Sequence, residues 1–138
     1  MSGRRTLIEE KIRQHEELEK ISSCVNSIRI NAARDSKGKI RLIGACLKCG
    51  AEEAAADNFH SGGIAYPLDL KTGTVAGPGR NNKEIRDYER HPGSLVYMPG
   101  FTVPCWDAVI ACVTQAMEHM PRSYIGWDIA VTPEGPEM

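Results

Sequence analysis

VNSIRINAARDSKGKIRLIGACLK, residues 25–48, is two extended segments folded about a turn. In the first, Val25, Ser27, Arg29 and Asn31 share one face and Asn26, Ile28 and Ile30 the other, because side chains alternate across a strand. DSKG then supplies turn residues, and KIRLIGACLK, rich in β-branched and alternating residues, returns beside it. The spacing predicts an antiparallel hairpin.

Further along the chain, GIAYPLDL, the turn KTG and TVAGPG predict a second, shorter hairpin in which Pro67 marks an edge strand or a bulge. RNNKEIRDYERHPGS, residues 80–94, is polar and broken by Pro and Gly, so it reads as a surface loop long enough to carry function. The clearest helix follows over about 104–120: Thr102 is placed to cap it, Pro104 suits its first turn, and Pro121 stops it. Its apolar stripe of Trp106, Val109, Ile110, Val113, Ala116, Met117 and Met120 is expected to be core. In SYIGWDIAVT, Tyr124, Gly126, Asp128 and Ala130 alternate against Ile125, Trp127, Ile129 and Val131, giving a last strand that ends in the turn PEG. At the other end, LIEEKIRQHEELEKI reads by periodicity alone as a helix with a thin apolar face of Ile8, Ile12 and Leu18. The sum is an α+β fold, mainly antiparallel sheet packed against one long helix, in a single domain over 1–138.

Composition sets the outer limits. A chain of 138 residues with 41% apolar and 25% charged residues can bury a core as one soluble domain. With 17 basic and 18 acidic residues the formal charge is −1, so no global field draws the chain to nucleic acid or an anionic membrane. No apolar run approaches the ~20 residues that span a bilayer. MSGRRTLIEEKI lacks an apolar signal region, and five cysteines is an odd number; both fit a reducing cytoplasm. Cys46 and Cys49 have metal-like spacing, with His60 as a conceivable third ligand. On a strand, however, residues three apart point to opposite faces, which favours small core thiols. Cys105 and Cys112 are expected to pack in the core of the long helix.

Three places carry candidate chemistry. In DNFHSGGIAYPLD, residues 57–69, Asn58 and His60 share a parity, and Ser61, Gly62 and Gly63 offer backbone N–H groups that an anion can approach closely. The same residues also suit a bend between strands. Asp128 lies in mid-strand, where a carboxylate needs a cation, a donor network or solvent. Magnesium on nucleotide phosphates is one such cation, and an edge strand facing water is the alternative. Arg29 on a sheet face is a suitable phosphate or carboxylate clamp, or a solvated surface residue.

VNSIRINAARDSKGKIRLIGACLKCG, DNFHSGGIAYPLDLKTGTVAGPG and YIGWDIAVTPEGP together resemble the C-terminal half of the ATP-grasp fold, most closely the sugar-transfer-associated ATP-grasp proteins, relatives of the glutamate ligase-like branch. The resemblance covers about residues 7–136. It implies that LIEEKIRQHEEL is a hinge segment (6–20), with 6–10 a strand and about 14–20 a helical turn, ahead of a sheet-and-helix lobe over 24–136. Glu9 or Glu10 would then flank the adenine, and Glu16 or Glu17 would meet the ribose. It further implies Asp128 as a magnesium ligand, with Arg29 and the stretch from Asn58 to Gly63 lining the side of the cleft that receives phosphates or acceptor.

ATP and Mg2+ are the cofactors so implied. The implied function is an ATP-dependent carboxylate–amine ligase-like lobe acting through an acyl phosphate on a carboxylate or sugar-linked substrate in surface polysaccharide synthesis. The family's lysine-bearing lobe and its Glu-x-Asn strand do not occur in the sequence. A non-catalytic binding module and a fragment without activity of its own are therefore the alternative expectations. A partner lobe or a second copy of the chain is expected to cover part of the sheet.

Overall fold

The computed structural model describes residues 6–50 and 62–138. The hairpin of residues 25–48 forms as expected: β1 (Ser27–Arg34) pairs antiparallel with β2 (Ile40–Cys49), from Ser27 opposite Lys48 to Arg34 opposite Ile40. Its turn is held by the Asp35 carboxylate, which accepts from the backbone N–H groups of Lys37 and Lys39 at 2.9 Å each. That is the local bonding for which Asp is favoured in turns. A register shift between Asn31 and Ala32 leaves Ile43 directed outward.

β3 (Ile64–Leu68) pairs with β2, β4 (Tyr124–Thr132) with β1, and β5 (Gly135–Glu137) with β4, all antiparallel, in the order β3-β2-β1-β4-β5. Pro67 sits in the sheet's edge strand, where no ladder donor is lost to a neighbour, and its carbonyl accepts from the Ala76 N–H at 2.9 Å. The segment after β3 folds back through single bridges, Leu68 with Val75 and Ala65 with Arg80.

Even-numbered residues of β1 supply one wall of the core: Ile28, Ile30 and Ala32 are fully buried beside Leu47, Tyr66 and Ile129. Against this face packs α2 (Trp106–His119), through Trp106, Val109, Val113 and Met117. Of the stripe read from sequence these four are core, Ile110 and Ala116 are half-buried, and Met120 is exposed. The helix starts two residues later than expected and Thr102 does not cap it. Thr102 is bridged to Thr74, their hydroxyls 3.0 Å apart, and Val103 N–H donates to Gly73 at 3.0 Å, so the chain is still paired there. Cys105 takes the N-cap position in a left-handed conformation (φ 56°) and is exposed, not core. Cys112 is half-buried.

The strand expected at 6–10 is absent: residues 6–15 have no regular structure, and Leu7 and Ile8 are exposed. A strand needs a ladder. The backbone tie from this segment to the sheet is a single bond, His15 N–H to Val131 O at 2.7 Å. Side chains anchor it instead. Buried Gln14 donates to the carbonyls of Ser22 and Cys24, both at 2.8 Å, and accepts from the Asn26 backbone and side-chain amides, both at 3.0 Å. The helical turn is present as α1 (Glu16–Glu19), capped by His15 Nδ1 and acidic in its first turn, as the helix dipole favours.

Residues 80–94 are less of a free loop than their polarity suggests. Tyr88 bridges to Gly79, Arg90 bridges to Tyr97, and His91 is buried. His91 Nδ1 accepts from the N–H groups of Gly93 and Ser94, which leaves Nε2 to donate to Gly50 O at 2.7 Å.

Candidate functional site

With α2 covering one face of the sheet, the odd residues of β1 look out from the other. Register places them in cross-strand rows. One row reads Pro67, Cys46, Arg29, Asp128; the next reads Ala65, Lys48, Ser27, Ala130, Glu137. Directly opposed side chains on a sheet are close enough to bond. Arg29 uses this: Nε donates to Asp128 Oδ1 at 2.8 Å and Nη2 to Oδ2 at 2.7 Å, a two-pronged pair. Lys48 Nζ reaches Asp128 Oδ1 from the neighbouring row at 3.1 Å. Gly126 helps to make room, because a Cβ there would lie 3.1 Å from Asn31 Oδ1 and 3.4 Å from Arg29 Nη1.

Asp128 is thus not buried in the core, and among the described residues β4 pairs at its position with β1 alone, because β5 reaches only Ala130–Thr132. It lies on the open face of β4, its side chain 49% exposed, with two cations converging on it. The Arg29 guanidinium, helped by Lys48, holds the Asp128 carboxyl below the usual carboxylate range, and the same pair raises the Arg29 pKa. Because the folded-state value is depressed, the cluster's stabilisation is complete above the ordinary carboxylate pKa of about 3.9 and is lost as pH falls through the lower folded value. An Asp128→Asn variant is therefore expected to show a flatter loss of stability between about pH 5 and pH 2 than the parent. Urea unfolding across that window checks this. At neutral pH the half-exposed pair should contribute no more than about 1 kcal/mol.

The other expected site residues divide. Glu10 borders a hollow of about 270 Å3 with Arg13, Thr132, Glu134 and Glu137, so the hinge segment reaches the β5 end of the row that holds Lys48. A second hollow of about 520 Å3 lies on the hinge between Arg13, Glu19 and Ser23–Val25. Glu9, Glu16 and Glu17 are not brought to the hollow beside Glu137; Glu9 and Glu16 are exposed, and Glu17 pairs with Lys20 at 2.6 Å. Gly62 and Gly63 are buried just before β3. Gly62 has φ +96°, with the Lys83 ammonium 3.3 Å from where a Cβ would stand. Asn58, His60 and Ser61 lie outside the described residues. Cys46 is on the open face and Cys49 in the core, as strand parity requires.

Sequence reasoning missed Lys48 and Glu137. The signal for Lys48 was available: once the hairpin register places Cys46 opposite Arg29, Lys48 falls on the same face two residues on.

Whether this face suits a magnesium nucleotide can be tested on its donors. Among the described residues no group of three or more His, Cys, Asp or Glu is placed to hold a metal ion. A metal here would have to bring ligands with it, as magnesium does when it arrives on phosphates and takes only one or two carboxylates. Asp128 is ionised and solvated, and each of its oxygens has two acceptor sites, so Oδ2 retains capacity beyond its bond from Arg29. Arg29 and Lys48 beside it are suited to phosphate oxygens. The residues present fit the group.

An antiparallel sheet backed by one helix, with a charged open face, is compatible with a lobe of an ATP-grasp protein. The model of one family, sugar-transfer associated ATP-grasp, matches residues 2–138, and the chain belongs to that family. No curated protein and no solved structure matches it.

Proposed function

We propose that the open face of the sheet binds magnesium–ATP for a ligase-like reaction in which a carboxylate is activated as an acyl phosphate. The observation that carries this reading is the convergence of Arg29 and Lys48 on Asp128 at 2.7–3.1 Å on a solvent-facing sheet. Phosphate oxygens would take the guanidinium and ammonium, and Asp128, with its oxygens released, would hold the metal. Bound magnesium supplies charge neutralisation on the phosphates. Arg29 and Lys48 add to that and orient the terminal phosphoryl group, which is most of what catalysis of phosphoryl transfer requires. In the step itself a substrate carboxylate oxygen bonds to the terminal phosphorus as the bond from that phosphorus to ADP breaks.

The base and ribose belong at the hinge, where Glu10 and Glu137 border one hollow. Arg29, Lys48 and the metal together only match a fully ionised ATP and leave the Asp128 charge over, so a further cationic element, a partner lobe or a second copy of the chain, would complete the phosphate site. A sugar-linked substrate rests on the family's description as sugar-transfer associated, and a place in surface polysaccharide synthesis extends that description.

The bidentate geometry favours one competing reading, in which the cluster only ties β1, β2 and β4 together. Amide shift mapping separates the two. Titration with magnesium–ADP is expected to perturb residues 27–31, 46–48 and 126–130 together; no response on these strands would leave the structural reading. Acyl phosphate formation is read by trapping with hydroxylamine when a carboxylate substrate and ATP are present.

A further inference from the structure

The hinge hollow and the ion cluster occupy only part of the open face. At the opposite end, between β2 and β3, the two rows end in small or apolar side chains: Cys46 and Pro67 in one, Ala65 in the other. Beside them Pro78 and Arg80 come in on the segment bridged to β3, and together these residues border a hollow of about 470 Å3. Arg80 forms its rim and is held outward by Asp87 at 2.9 Å. The floor is apolar, and its neighbours in the rows are Lys48, directly opposite Ala65, and Arg29, directly opposite Cys46.

Strand order gives this placement its meaning. Adjacent strands are spaced ~4.8 Å apart, so the hollow lies roughly 5–10 Å from the strand positions of Arg29 and Lys48, whose charged ends reach away from it to Asp128 on β4 until phosphate or carboxylate draws them off. The hinge segment meets the Lys48 row from the β5 side, at Glu137. The cations therefore stand between two recesses, one acidic and polar at the hinge, one apolar at β3.

We propose that the β3 hollow takes the aliphatic part of the carboxylate substrate, whose carboxylate then faces the Arg29–Lys48 pair from the side opposite the nucleotide. This rests on the reading of the open face as a nucleotide site and adds to it the class of substrate: a carboxylate bearing a short unbranched or lightly branched apolar chain. An anionic head meets cations while the tail meets Cys46, Ala65 and Pro67. A larger polar tail would find only the weakly hydrogen-bonding Cys46 thiol in that floor.

The test is a titration of the chain with acetate, butyrate and hexanoate, each alone and with magnesium–ADP, followed by the Ala65 methyl signal and by backbone amides. Full burial of a methylene improves binding roughly fourfold; for this open hollow about two- to threefold per added methylene is expected, with the Ala65 methyl shifting in step. Filling the hollow with Ala65→Leu is expected to flatten the chain-length series while magnesium–ADP still perturbs residues 27–31 and 126–130. Equal affinities for the three acids, or a chain-length series with no response at Ala65 in the parent protein, would overturn the proposal. Loss of the nucleotide response with the series intact would remove the nucleotide reading but keep the hollow as a carboxylate site. An Ala65 shift that follows protein concentration and ignores carboxylate would assign the hollow to contact between copies and end the proposal.

Discussion

Arg29→Ala is expected to weaken magnesium–ATP binding roughly 10- to 150-fold, since a hydrogen bond to a charged group contributes about 1.5–3 kcal/mol and 1.36 kcal/mol is a factor of ten. Arg29→Lys should recover only part of this. An ammonium restores the charge but not the planar fork that now meets both oxygens of Asp128 at 2.8 and 2.7 Å. Both variants should fold, because the pair is about half exposed and such pairs contribute little to stability. Calorimetric titration of the three proteins gives the ranking. Equal affinities in parent and Arg29→Ala would remove the guanidinium from the nucleotide site.

Gly73→Ala is expected to be the most destabilising small substitution in the turn after β3. Gly73 has φ +70°, and a Cβ there would stand 2.4–2.8 Å from three atoms of the Trp106 ring. The left-handed backbone costs a non-glycine residue about 1–2 kcal/mol, and forced overpacking about 1–3 kcal/mol more. The indole cannot simply swing away, because its Nε1–H donates to Leu70 O at 3.0 Å and the ring begins the buried stripe of α2. The expected loss is therefore about 2–5 kcal/mol, or roughly 5–20 °C in Tm. Gly100→Ala is the control: φ is +88° but nothing lies within 4 Å of its Cβ position. It should show the backbone part alone, and thermal unfolding of the two variants isolates the contact with Trp106.

What the sequence revealed, and what it concealed, follows the range of the interactions. The hairpin of β1 and β2 was legible because alternation and turn chemistry are local, and the same holds for the apolar stripe of α2. Thr102 misled because it satisfies the local rule for a cap while the chain there is still paired to the 73–74 turn, a tertiary fact. The hinge strand failed for the opposite reason: the resemblance implied it, but among the described residues no neighbouring backbone forms a ladder with 6–10. Arg29 and Asp128 were each singled out, yet their pairing, 99 positions apart, depends on β4 lying beside β1. That adjacency also decides what Asp128 is. Sequence left it between a carboxylate in need of a cation, a donor network or solvent and an edge residue in water; β1 beside it and β2 beyond supply the cations, and β5, whose pairing stops at Ala130, leaves its outer side without a ladder among the described residues.

The most direct measurement of the central claim is the affinity of the chain for ATP with and without magnesium, in the parent and in Asp128→Asn. If the open face is a nucleotide site in which Asp128 exchanges its cationic partners for the metal, the parent binds ATP more tightly with magnesium, and the variant loses most of that difference while still binding through Arg29 and Lys48. An affinity that ignores magnesium in both proteins, or no binding at all, contradicts the claim and leaves Arg29, Lys48 and Asp128 as a tie between strands.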